Sequence, residues 1–279
     1  MSESDLYEVY AVQYAYRADR RRHETFITNA WTDPLHDTEQ PISYYVWAVV
    51  GRERIIVVDT GFDAEEAARR RRASRELWRP EMRCSPADGL AMVGIDAARV
   101  DDVVITHLHF DHAGTIGHFP AARFHLQELE MSYATGPHMA HAYFAGAYSM
   151  EFVVEMVRKV YSGRVVFHAG DAEIAPGVSV HHIGGHTLGM QCVRVRTRRG
   201  FVVLASDASH FYDNFEGLAP YPIVADVPAM IRGFERVEQL ASSRRHVIPG
   251  HDPLVMARYP AASEATAGTV VRLDAEPRD

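Results

Sequence analysis

Thr106-His107-Leu108-His109-Phe110-Asp111-His112 packs three histidines and an aspartate into seven consecutive residues. The apolar run Val103-Val104-Ile105 precedes it and Ala113-Gly114 follows, so a buried strand passes here into a turn where a helix can begin. His107 and His109 stand two apart, and an extended backbone points both imidazoles to one side. Asp111 and His112 fall on the turn and face a neighbouring point. Four ligand-type side chains are too many for one tetrahedral ion that also keeps an open position. They suit two adjacent ions.

Outward from this cluster, three more candidates end apolar strands. Ile183-Gly184-Gly185-His186-Thr187-Leu188-Gly189 places a histidine in a glycine-rich turn. Val202-Val203-Leu204-Ala205-Ser206-Asp207 ends in a carboxylate, and Val247-Ile248-Pro249-Gly250-His251 ends in a histidine. Each alone reads as an ordinary loop residue. Together they share one context, strand followed by tight turn, in which a rigid scaffold builds a site.

Period-two and apolar patterns predict strands at 6–16, 43–50, 54–59, 103–106, 164–168, 178–183, 191–197, 201–206 and 246–249. Helices are expected after the Asp63 cap and near 126–134, 149–160 and 227–241. Hairpins interrupted by helices suggest an α/β sandwich of two sheets with helices outside. No repeat or linker stands out, so residues 1–279 read as a single domain.

The net charge is −8, from 37 acids and 29 bases, which argues against a nucleic-acid partner. The run Arg69-Arg70-Arg71-Arg72 follows Asp63-Ala64-Glu65-Glu66 and reads as a solvated helix face or helix end. No apolar run approaches the roughly 18 residues of a membrane span. Met1-Ser2-Glu3-Ser4-Asp5-Leu6 lacks the apolar core of a secretory leader. Cys84 and Cys192 lie far apart and read as reduced thiols, so a cytoplasmic location is expected.

His-x-His-x-Asp-His followed by separate His, Asp and His resembles the metallo-β-lactamase superfamily, and the likeness runs from Asp59-Thr60-Gly61 to His251. The resemblance implies an αββα sandwich holding two divalent metal ions, with zinc the default. His107, His109 and His186 would hold one ion, and Asp111, His112 and His251 the other, with Asp207 bridging. Asp59 would brace the ligand loop. Phe110, the Gly184–Gly189 turn and Ser206-Asp207-Ala208-Ser209-His210 are most similar to the N-acyl-homoserine lactone lactonases, the quorum-quenching group.

The implied reaction is the opening of a small lactone by a hydroxide held between the ions, with Asp111 passing a proton to the leaving alkoxide. Those lactonases carry a tyrosine three residues after the bridging aspartate, where it contacts the substrate carbonyl. Here that position is His210, with Tyr212 two further on, and these two are the candidate oxyanion contacts. The alternative is a glyoxalase-II-like thioesterase with nearly the same ligands. Its basic tail is not matched by the short mixed segment ending Ala275-Glu276-Pro277-Arg278-Asp279. A β-lactamase is disfavoured because Asp207 stands where many such enzymes use cysteine. A nucleic-acid-processing hydrolase and a non-catalytic binding protein are the remaining alternatives.

Substrate choice is expected from residues 134–162, whose aromatic and methionine content (Tyr143, Phe144, Tyr148, Met150) suits a cap over an apolar pocket. The same stretch could instead pack on the sandwich or meet a second copy in a homodimer. Trp31 is a further candidate wall. His138 and His141 lack neighbouring carboxylates and are not taken as a metal pair.

Overall fold

Along Ile42–Val50 the side chains of Tyr45, Trp47 and Val49 join one apolar cluster, while Tyr44, Val46 and Ala48 join another. A strand alternates its side chains, so burial of both faces requires a layer on each side. The computed structural model describes residues 6–28 and 32–278 and supplies both layers. Trp31 lies outside the described residues.

The strands in chain order are β1 (Glu8–Arg17), β2 (Ile42–Val50), β3 (Ile55–Val58), β4 (Glu81–Met82), β5 (Asp102–Val104), β6 (Arg123–Gln127) and β7 (Val165–His168). They continue with β8 (Ala172–Ala175), β9 (Val178–His182), β10 (Gln191–Thr197), β11 (Gly200–Ser206), β12 (Val247–Pro249) and β13 (Val270–Arg272). The first sheet runs β13-β1-β2-β3-β5-β6-β7 with β4 on β1, and the second runs β12-β11-β10-β9-β8. One cluster joins Val9, Trp47 and Ile56 of the first sheet to Val180, Val193 and Leu204 of the second. It extends to Met230, Phe234 and Val237 of the helix Val227–Leu240. The other face of the first sheet, with Val12, Val46, Val57 and Val103, packs on Ala67, Leu90, Val153 and Met156 from three helices. The layers are helix, sheet, sheet, helix, as expected.

Local chemistry explains the helix starts. Asp63 accepts from Glu66 N and Asp226 from Ala229 N, each capping an exposed amide. The helix expected near 126–134 forms over Glu128–Ala134, two residues later than expected. Leu126 and Gln127 instead end β6, pairing in parallel with Phe167 and His168. That edge pairing holds the two residues in the strand. The short strands β4, β8 and β13 carry too few residues for a period to register, and β13 exists by pairing with β1.

What this topology does for function is gather strand ends. β3, β5, β6 and β7 are mutually parallel, and β11 is parallel to β12. Carboxyl ends of parallel strands open onto one crevice. Asp59 follows β3, the histidine cluster follows β5, Asp207 follows β11, and His251 follows β12. The β9–β10 connection carries His186. Among the described residues, no helix is long and apolar enough to cross a membrane.

Candidate metal centre

The strand ends are locked together before any ligand is considered. Asp59, fully buried, accepts from Thr106 N at 2.7 Å, Thr106 Oγ1 at 2.8 Å, His112 Nδ1 at 2.8 Å and Ser206 Oγ at 3.2 Å. Asp59 and Ser206 both sit in the left-handed region, at φ 60° and 47°. Such a conformation costs a non-glycine residue about 1–3 kcal/mol and persists where surrounding contacts enforce it. The four hydrogen bonds on Asp59 are those contacts. A Cβ on Gly250 would lie 2.6 Å from the Ser206 carbonyl and 2.7 Å from Asp207 Oδ1, so glycine is what lets the β12 end pass the β11 end.

On this frame the seven candidate ligands converge. His186 Nε2 lies 3.1 Å from His107 Nε2 and 2.9 Å from His109 Nδ1. Asp111 Oδ2 lies 3.7 Å from His112 Nε2 and 3.6 Å from His251 Nε2. Asp207 stands between the two groups. Its Oδ2 is 3.3 Å from His186 Nε2 and 3.9 Å from His107 Nε2. Its Oδ1 is 3.3 Å from His112 Nε2 and 3.0 Å from His251 Nε2.

The outward nitrogens fix which atoms face inward. His186 Nδ1 donates to Ile223 O and His251 Nδ1 to Ser43 O, each at 2.7 Å, and His112 Nδ1 donates to Asp59. His107 Nδ1 meets the Thr106 hydroxyl at 3.1 Å, and that hydroxyl itself donates to Asp59. A neutral imidazole with one N–H spent outward presents a lone pair inward. Burial first, then the neighbouring imidazoles, hold His107 and His109 well below the usual histidine range, which keeps them neutral. Two of the converging atoms, buried His112 Nε2 and Asp207 Oδ1, have no hydrogen-bond partner among the described residues. Burial alone would raise the Asp207 pKa, but its contacts with His251, His112 and His210 outweigh it and hold it well below the carboxylate range; at His112 and His251 the nearby carboxylates likewise outweigh burial and raise both rings. Inward lone pairs beside a fixed anion are what a cation requires. The nitrogen and oxygen donors fit divalent metal ions.

His210 and Tyr212 do not take the place expected of them. His210 is buried, its ring stacks on Tyr221 at 3.7 Å, and its Nε2 donates to Asp207 Oδ2 at 2.8 Å. Burial pushes its pKa down to about 3, so the ring carries one N–H, already spent on Asp207. It has no second donor for an oxyanion. Tyr212 turns away because it begins the helix Tyr212–Glu216. Its ring lies under Arg258 and lines a separate cavity with Glu216 and Tyr259.

A cavity of about 600 Å³ opens beside His109 and His186. Tyr143, Phe144 and Tyr148 of the expected cap segment line it, as do Phe110 and Trp78. His138 and His141 pack against Phe144. Arg69–Arg72 lie at the end of the helix Ala64–Ala73 as expected, with Arg69, Arg71 and Arg72 exposed, while Arg69 and the half-buried Arg70 also line the cavity. Glu130 went unnoticed in the sequence. Fully buried, it accepts from Leu108 N at 2.9 Å, Tyr148 Oη at 2.9 Å and Thr187 Oγ1 at 2.6 Å, tying both ligand loops to the cap segment. Nothing in Gln127-Glu128-Leu129-Glu130 separates the buried acid from the exposed one except its place in the helix.

A four-layer αββα sandwich with five histidines and two aspartates meeting at its strand ends defines a metallo-β-lactamase-type fold and site. A profile of the metallo-β-lactamase superfamily matches residues 40–266, and the chain belongs to that superfamily. An N-acyl homoserine lactonase from a Bacillus species is 29% identical over 165 residues, which cover 58% of this chain and 60% of the relative. The chain thus spans about 60% of the length of such relatives. Among solved structures, a quorum-quenching N-acyl homoserine lactone lactonase superposes with TM-score 0.71 at 22% identity, over 91% of this chain and 95% of that one. An N-acyl homoserine lactone hydrolase with N-hexanoyl-L-homoserine bound at its catalytic metal centre gives TM-score 0.71 at 20% identity, over 90% and 96%. At these identities the structural likeness is one of fold.

Proposed function

We propose that this chain is a dinuclear-metal hydrolase that opens a small lactone, an N-acyl-homoserine lactone or a related ring. The observation that carries the reading is Asp207, which offers one carboxylate oxygen to each of two ligand groups beside a cavity walled by aromatic side chains. His107, His109 and His186 would hold one ion and Asp111, His112 and His251 the other. The relatives bearing the lactonase name support the choice of substrate. Two divalent ions there, zinc being the default for this donor set, would polarise the carbonyl and activate a water.

The remaining work falls to side chains. Asp111 is the most solvent-accessible of the seven ligands, its side chain 12% exposed, and it is placed to accept and return a proton. Water oxygen bonds to the carbonyl carbon, the ring C–O bond breaks, and the ring oxygen takes the proton Asp111 returns. The product is the hydroxy acid. Residues 134–162 serve as the cap, through Tyr143, Phe144 and Tyr148.

His210 is assigned a positioning role on Asp207. His210→Ala should weaken metal binding by about 10–100-fold, the scale of lost ligand-orienting partners. With metal saturating, kcat should fall by less than the roughly 100-fold expected for a lost oxyanion donor. A 100-fold loss of kcat with metal affinity intact would return His210 to the oxyanion. The substrate assignment is tested by screening metal-loaded protein against acyl-homoserine lactones, aromatic lactones, thioesters and β-lactams. Lactones are expected to turn over fastest. A thioester processed better than every lactone would overturn the assignment.

A further inference from the structure

The wall of the cavity beside His109 and His186 carries charge of one sign. Arg69 and Arg70 line it, and among the described residues no aspartate or glutamate does. For a chain with net charge −8 this is a local reversal.

The two arginines differ in what they have left to give. Arg70 is a strut. Its Nε bonds Glu66, Nη1 bonds Gly146 O, and Nη2 bonds Tyr148 O and Ser149 Oγ, while its guanidinium lies 3.6 Å over the Phe110 ring. Arg69 also bonds Glu66 and Ser149, through Nε and Nη2, but its Nη1 has no partner among the described residues and its side chain is 48% exposed. Glu66 is one carboxylate serving two guanidiniums. Glu151, the other acid that influences Arg69, is exposed and off the lining. Asp111 acts on Arg70 from the metal-centre side, so what the wall leaves unspent is the Nη1 edge of the Arg69 guanidinium.

The rest of the lining tells the same way. Tyr133 contributes a hydroxyl without a hydrogen-bond partner among the described residues, and Trp78, Phe110, Phe144 and Ile223 contribute flat apolar surface. A neutral acyl chain would leave these unspent donors to water, whereas an acceptor on the substrate would use them. A carboxylate on Arg69 is a charge-assisted contact suited to the planar fork.

We propose that the lactone taken by this site bears a carboxylate on its ring or substituent, bound by Arg69, while the aromatic wall receives its apolar body. This rests on the lactonase reading above and narrows its substrate. The distinction between acyl-homoserine lactones and charged lactones then comes from the helix Ala64–Ala73 and not from the metal ligands.

The test compares kcat/KM for phthalide-5-carboxylate with its carboxamide, and γ-butyrolactone-γ-carboxylate with its carboxamide, on metal-loaded wild type, Arg69→Met and Arg69→Lys. The carboxylate is expected to be preferred by about tenfold or more in the wild type, the scale of a hydrogen bond to a charged group. Arg69→Met should bring that ratio towards one, Arg69→Lys should keep most of it, and added salt should shrink it. A ratio within one protein is unaffected by partial misfolding of a variant. Carboxamides hydrolysed as well as carboxylates by the wild type, or a ratio unchanged in Arg69→Met, would overturn the inference and leave the lactonase standing. Failure of every lactone, charged or neutral, would overturn both.

Discussion

Asp207→Ala is expected to lose at least one equivalent of metal and more than about 100-fold in turnover, since groups that merely orient ligands already cost about 10–100-fold. The carboxylate sits within 3.9 Å of four candidate-ligand imidazoles and accepts from His210 at 2.8 Å. Removing it takes the one group shared by both halves of the centre. It also removes a negative charge that would attract the cations. Asp207→Asn keeps the shape and loses the charge, so it should retain the fold and still bind metal poorly. Metal content by elemental analysis, with circular dichroism to confirm folding, reads both effects. Two ions retained by Asp207→Ala with near-normal turnover would mean the bridge is another residue.

The second large effect is expected at Asp59, and it is one of stability as well as affinity. Asp59→Ala leaves Thr106 N, Thr106 Oγ1, His112 Nδ1 and Ser206 Oγ without their shared acceptor in a fully buried place. Breaking a buried, hydrogen-bonded charge network costs about 3–5 kcal/mol, which in a chain of this size lowers Tm by about 10 °C. Metal affinity should fall too, because His112 loses the partner that points its Nε2 inward. Thermal melts with and without metal measure the two parts separately. A variant melting like wild type with unchanged metal content would show that Asp59 braces nothing.

The convergence of the seven candidate ligands was legible because chemistry and context coincided: a ligand-type residue at the end of an apolar strand. Hairpins interrupted by helices made a layered α/β sandwich legible, and the αββα order came with the resemblance carried by the histidine motif. Less visible was anything decided by the direction of one side chain. His210 and Tyr212 follow Asp207 closely, yet Phe211 N bonds Asn214 Oδ1 and starts a helix that carries Tyr212 away. Arg70 looks solvated until the Gly146 and Tyr148 carbonyls and the Ser149 hydroxyl take its guanidinium. Glu130 is buried only because the two ligand loops and Tyr148 bring their donors to it. The environments of Arg70 and Glu130 depend on neighbours distant in sequence, which no local pattern carries.

The account stands most directly on the number of ions the centre holds. Protein purified without chelator should contain about two divalent metal equivalents per chain by elemental analysis, because seven ligands cannot close around one ion that keeps an open position. Removal by chelator should abolish hydrolysis, and restoring two equivalents should recover it. One equivalent or fewer, with full activity, would contradict the dinuclear centre.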